Sequence, residues 1–198
     1  MNEFGNERQS LVIPADGIRS LNISSKNYRI RIVSGNEESF ILRFCNNRFR
    51  MLEVTPRGDC LNLSEKMAVT FYEFFRFVEL MRENELLVEL PQNCETLSIV
   101  ARTGPTGILV NGVMVQSLQL ESGTGEISVY RTDVTKQLAA FSSAGKISCS
   151  VLGRPEEYNV SCAADRRDVQ NPCYPYHENA MKRIDLHSGM SVPHLCFA

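Results

Sequence analysis

The sequence is short of the features that most often announce a function. Its net charge is only −2, with 21 basic against 23 acidic side chains, which excludes both a strongly basic surface for nucleic acid and an acidic mimic of one. Arg48, Arg50 and Arg57 lie close together, as do Arg166 and Arg167, but both sets are interleaved with acidic or apolar residues and read as solvated faces. No apolar run approaches the ~20 residues that a membrane helix needs, so no membrane span is expected. The opening MNEFGNERQSLVIPADG carries both charge signs and lacks the basic start and apolar core of a secretory signal. As written, the chain is expected in the cytoplasm rather than at the cell surface.

Chemical signatures are equally scarce. There is no GxGxxG, no GK[ST] and no GxSxG, which removes the usual phosphate loops and the serine-nucleophile elbow. Seven cysteines are present, an odd number, and no CxxC occurs among them. Most sit in strand-like runs such as ILRFCN and ISCSV, so they read as reduced thiols acting as small hydrophobes. The three histidines, His177, His187 and His194, share the C-terminal region with Cys162, Cys173 and Cys196. Zinc would accept such ligands if the fold gathered four of them, but the usual spacing is missing. The expectation is therefore no metal and no cofactor, with a zinc-bearing interaction domain as an alternative.

What the sequence does have is self-similarity. LQLESGTGEISV, starting at Leu118, lies over LAAFSSAGKISC, starting at Leu138, without a gap. Leu120 then meets Ala140, Ser122 meets Ser142, Gly125 meets Gly145, Ile127 meets Ile147 and Val129 meets Cys149. LSIVARTGPTGILVNGVMV, from Leu97, has the same order with its turn altered by Pro105, and places Gly107 at the corner. A further unit is expected to start at Tyr158, Val160 and Cys162, its turn AADRRDV having lost the glycine; RIDLHSGMSV, from Arg183, looks like a last copy. Two short alternating strands per unit of about 20 residues predict a β-solenoid, because one coil cannot bury its own inward row and stacked coils can. Gly107, Gly125 and Gly145 are the predicted structural turn glycines, placed where a Cβ would clash or φ must be positive. SGTG is accordingly a corner: the alternating strand EISVY follows it, whereas a phosphate loop leads into a helix.

The N-terminal part is strand-rich as well. Ile18–Gly35, SFILRFC, MLEV and CLNL alternate and are punctuated by turns, and either begin the same stack or close one end of it. LLVELP ends at Pro91, which suits a strand end. Between these runs lies MAVTFYEFFRFVELMREN, 67–84, in which Phe71, Phe74, Phe75 and Val78 fall at helical spacing and predict a short helical, aromatic insert. Such a segment caps or flanks the stack, or else forms a homo-oligomer interface.

SLQLESGTGEISV, LAAFSSAGKISCSV and RIDLHSGMSVPHLCF resemble the "tssGdI" coils of a bacterial "putative adhesin" family, a domain similar to the head of auto-transporter adhesins. SLNISSKNYRIRIVSG and NELLVELPQNCETLSIVARTG resemble its first strands and the segment before its coils, so the likeness covers roughly Ile18 to Phe197. The resemblance implies a β-solenoid architecture. It brings no catalytic residues, because the motif residues are structural. The aromatic insert, the turn without glycine and the run NPCYPYHENA depart from the pattern.

These readings give an all-β, single-domain β-solenoid over 18–198 after a polar segment 1–17, with 67–84 inserted. The expected function is a non-catalytic binding or scaffolding module for a protein or glycan partner. Glu121, Glu126, Arg131 and Lys146, together with Phe74 and Phe77 of the insert, are the candidate interaction surface. Glu126 and Lys146 occupy equivalent positions on successive coils and should form a charge ladder. The alternative is a glycan-active hydrolase or lyase, which would require carboxylates converging in a groove.

Overall fold

A computed structural model describes residues 7–46, 50–67, 84–165 and 174–198, except 176 and 178. The aromatic residues Phe74 and Phe77, the predicted helix and Cys173 lie outside the described residues. Met67 and Asn84, the two ends of the expected insert, belong instead to flanking strands.

The described chain is nearly all strand. In chain order the strands are β1 (Glu7–Pro14), β2 (Ser20–Ser24), β3 (Tyr28–Ser34), β4 (Ser39–Asn46), β5 (Arg50–Arg57), β6 (Cys60–Met67), β7 (Asn84–Leu90) and β8 (Ser98–Thr103). They continue as β9 (Ile108–Asn111), β10 (Met114–Ser122), β11 (Ile127–Ser142), β12 (Ile147–Val151), β13 (Tyr158–Ala164), β14 (Lys182–Ser188) and β15 (His194–Phe197). All fifteen belong to one curled sheet. Two ladders make it up. One runs β1-β4-β7-β3-β9-β11-β12-β15 and the other β5-β6-β2-β8-β10-β11-β14-β13. The long β11 serves both. Its first residues pair with β9 and β12, and its last with β10 and β14.

Pairing is parallel except where β1, β4 and β5 add antiparallel strands at one end. The register follows the sequence similarity residue for residue. Leu118 faces Leu138, Leu120 faces Ala140, Ser122 faces Ser142, Ile127 faces Ile147 and Val129 faces Cys149. Alternation then sends one set inward. Leu118, Leu120, Ile127, Val129, Leu138 and Ile147 are all buried, in one core that continues through Leu21, Ile30, Ile99 and Ile108.

Spatial order departs from chain order at both ends. β2 and β3 insert between β6–β7 and β8–β9. At the other end β14 inserts between β11 and β13: Ile184 faces Leu138, and Val160 faces Ile184. This corrects the expectation that the Tyr158 unit follows directly on Leu138. Both strands carry the same inward pattern, Val160 and Cys162 in β13 against Ile184 and Leu186 in β14, so alternation alone does not fix which of them docks on β11. Their corners differ: Gly189 packs close to the carbonyl oxygen of Ser143, where a Cβ would lie 2.1 Å away, and Asp165 stands at the equivalent place after β13, where Ala164 faces Ser188.

Candidate functional site

The corners after β8, β10, β11 and β14 are each built from a small hydroxyl residue and a glycine, and the corner after β2 has the hydroxyl alone. Ser25, Thr103, Ser122, Ser142 and Ser188 form a buried column there. Each hydroxyl donates to a carbonyl of the neighbouring corner: Thr103 Oγ1 to Tyr28 O at 3.3 Å, Ser122 Oγ to Thr106 O at 3.1 Å, Ser142 Oγ to Gly125 O at 3.3 Å and Ser188 Oγ to Gly145 O at 3.0 Å. Ser25, Ser142 and Ser188 also accept the backbone N–H three residues on, from Tyr28, Gly145 and Ser191. At the end of the column a carboxylate takes the carbonyl's place. Glu65 accepts Ser25 Oγ at 2.8 Å, Asn27 N at 2.9 Å and Asn27 Nδ2 at 3.0 Å, as well as the Lys26 N–H. Partial burial works against its charge, but these hydrogen bonds, led by the Asn27 side chain, prevail and hold the carboxyl below its ordinary 4.5. Sequence reading found the glycines but missed the hydroxyls, although Ser122 over Ser142 was their signal.

The turn glycines have one role each, and it is clearance. A Cβ on Gly125 would lie 1.8 Å from Thr106 O, on Gly145 1.9 Å from Gly125 O, and on Gly107 2.7 Å from Glu126 O. Positive φ occurs elsewhere, at Gly17, Gly58, Gly112 and Gly153. The expected phosphate-free corner at SGTG thus has its glycine filled from beneath by backbone.

The predicted surface residues do not form one site. Glu121 lies on the outward side of β10 and takes Arg102 Nε at 2.8 Å and Nη2 at 3.3 Å; this Arg102 fork, with Gln119 assisting, keeps its carboxyl below the usual range. Glu126 accepts the Ser128 hydroxyl at 3.0 Å. Among the described residues it makes no ion pair with Lys146, and the two meet only through backbone, where Ile127 N–H donates to Lys146 O. The expected charge ladder is therefore corrected to Arg102–Glu121, one unit earlier. Arg131 stands at the far end of the short segment from Ile127, exposed and with a positive φ of 45°. Tyr130 faces Asn111, so Arg131 falls level with Gly112, which has φ 66°.

Other polar groups gather at the C-terminal end. Lys182 Nζ lies 3.0 Å from Asp133 Oδ1 and 3.3 Å from Glu157 Oε2, and 5.1 Å above the Tyr158 ring. Partial burial opposes its charge, but the bond to Asp133 and its other partners outweigh that and raise its pKa. The cluster ties β11, β13 and β14 together. His187 contacts Asp165 at 2.7 Å and meets the Phe141 ring edge-on. His194 and Cys196 point outward while Leu195 and Phe197 pack against the core. Among the described residues no three His, Cys, Asp or Glu side chains come within reach of one metal ion. Cys94, Cys149 and Cys162 are buried, Cys196 is exposed, and Cys45 and Cys60 are half-buried. Burial pushes the Cys162 thiol up to about 11 and raises that of Cys149 further.

Two clefts remain. A polar one of about 580 Å³ is lined by Arg19, Ser20, Asp59, Thr96, Ser98 and Gln116. A second of about 480 Å³ lies over β1, β4 and β7, with Arg8, Ser10, Arg43, Cys45, Glu85 and Leu87 among its lining residues. Each has a single carboxylate among its described lining residues.

A solved structure of a "putative cell adhesion protein" from Clostridium sporogenes ATCC 15579 is similar to this chain, with a TM-score of 0.58, 11% identity, and coverage of 98% of this chain and 99% of that one. A "putative adhesin" from Bacteroides fragilis NCTC 9343 gives a TM-score of 0.41 at 11% identity, over 98% of each chain. The first likeness shows a shared fold. No protein-family model matches the chain, and no curated protein matches it. Among the described residues, no helix is long and apolar enough to cross a membrane.

Proposed function

We propose that the protein is a non-catalytic binding module built as a short β-solenoid. The observation that carries the reading is the register itself. Ile99, Leu118, Leu138 and Ile184 face one another in turn across four parallel strands, and the outward residues Arg102, Glu121, Phe141 and His187 do the same. A parallel ladder repeats its side chains at about 4.8 Å, which makes a rigid, shaped surface and leaves little room for moving parts. The likeness to a structure named for cell adhesion supports binding to a protein or glycan.

The test is to immobilise the protein and probe a glycan array and a panel of cell-envelope proteins. Saturable binding of a defined glycan or protein is the expected result. Release of reducing ends or unsaturated products from a polysaccharide panel would overturn the non-catalytic reading.

A further inference from the structure

The outward rows of β1, β4, β7 and β3 carry a charge opposite in sign to the whole chain. Arg8 on β1, Arg43 on β4, and Arg29 and Arg31 on β3 share this face with Glu85 and Glu89 on β7. Both glutamates are occupied. Arg43 pairs with Glu89, and Arg31 Nη1 lies 3.8 Å from Glu85 Oε1. Among the described residues Arg8 and Arg29 have no side-chain hydrogen bond or ion pair; Arg29 faces Glu85 across its ladder, whereas Arg8 faces Cys45 and has no carboxylate opposite it. Arg8 faces Cys45 and Ser10 faces Arg43, so the two arginines are diagonal neighbours on one side of an antiparallel pair, about 7 Å apart by sheet geometry.

A cleft lies at that place. Its volume is about 480 Å³, and Arg8, Ser10, Arg43, the half-buried Leu87 and Cys45, and the Glu85 carboxylate that Arg31 partners line it from the outward face. Such a volume is within the range that holds a small ligand. The Arg8 fork is free and Arg43 gives only Nη1 to Glu89, so each can still offer N–H groups to the planar oxygens of a carboxylate. The Ser10 hydroxyl and the Glu85 carboxylate suit the hydroxyls of a sugar ring, and Leu87 with Cys45 gives that ring an apolar face to lie on. We infer that the cleft over β1, β4 and β7 binds a carboxylated sugar of an acidic glycan, its carboxylate held between Arg8 and Arg43. This rests on reading the protein as a binding module and gives that module a ligand class.

Titration calorimetry of the full chain tests it with four probes: a galacturonic acid trisaccharide, maltotriose, inorganic phosphate and a triglutamate peptide. The acidic trisaccharide should bind, and maltotriose should not. Arg8→Ala should weaken binding about tenfold or more, as loss of a charge-assisted hydrogen bond does, with an unchanged melting temperature because the side chain is exposed. Arg8→Lys should restore only part of it, since an ammonium lacks the planar fork. The inference is overturned if the trisaccharide fails to bind, if Arg8→Ala binds it as the parent does, or if phosphate or triglutamate binds equally well. Binding of some other array glycan that survives Arg8→Ala would sink this inference and leave the binding module standing. Polysaccharide turnover would sink the module itself.

Discussion

The Ser142 hydroxyl lies 3.3 Å from the carbonyl oxygen of Gly125, seventeen residues earlier in the chain and one corner below it. It also accepts the Gly145 N–H at 2.8 Å. One side chain thus closes its own turn and ties it to its neighbour. Ser142→Ala removes both bonds in a fully buried place, and the expected loss is about 2 kcal/mol, within the range for leaving buried backbone groups unpaired. Urea unfolding should show the midpoint fall with an unchanged slope.

Gly125 and Gly17 separate clearance from backbone conformation. Gly125→Ala drives a Cβ to within 1.8 Å of Thr106 O, and backbone on both sides cannot yield cheaply. The expected loss is about 3 kcal/mol or more. Gly17 has φ 76° with nothing within 4 Å of an added Cβ, so Gly17→Ala should cost only about 1 kcal/mol, the left-handed penalty. Equal losses in thermal unfolding would refute the distinction.

That distinction also shows what the sequence made legible. The spacing of Leu118, Ile127, Leu138 and Ile147 predicted the pairing register, because a one-residue slip would turn an entire apolar row outward. The order of β13 and β14 was hidden, since both carry the same inward pattern in Val160–Cys162 and Ile184–Leu186. Their corners differ, Gly189 against Asp165, but Ser143 holds the same place on the inner coil, so the corner residue does not fix the order either. The arginine face was hidden for a similar reason: Arg8, Arg29, Arg31 and Arg43 are scattered along the chain and converge only through the pairing of β1, β4, β7 and β3. The charge ladder was sought at Glu126 and Lys146, but Glu126 takes the Ser128 hydroxyl instead. It formed at Arg102 and Glu121, which face each other within regular strands.

Arg131 offers a stabilising change. Its φ of 45° is unfavourable for a residue with a Cβ, and glycine occupies the level position 112 with φ 66°. Arg131→Gly relieves the strain and loses some backbone entropy, for a net gain of up to about 1 kcal/mol. A melting temperature that drops instead would show that the exposed Arg131 side chain holds this corner.

Glu65 predicts a pH dependence with a definite sign. Its folded pKa lies below the ordinary 4.5, so its contribution is fully present above that value and fades as pH falls through the folded pKa. Glu65→Ala should cost about 2 kcal/mol at neutral pH through loss of charged hydrogen bonds. The gap between parent and variant should narrow in acid, below the ordinary carboxylate pKa. A gap that stays constant from neutral to strongly acidic pH would mean that the carboxylate's charge plays no part in holding Ser25, Lys26 and Asn27.

The placing of β14 between β11 and β13 has a consequence for the order of events in time. Tyr158–Ala164 leave the ribosome before Lys182–Ser188, yet among the described residues that later strand is the one ladder partner they have. The middle of the protein, β8 to β12, can zip up as it is made, each strand docking on the one before. The last turn cannot. It must wait for nearly the whole chain and then close in reverse, so a nascent chain halted after Ala164 carries a finished body and an orphaned strand.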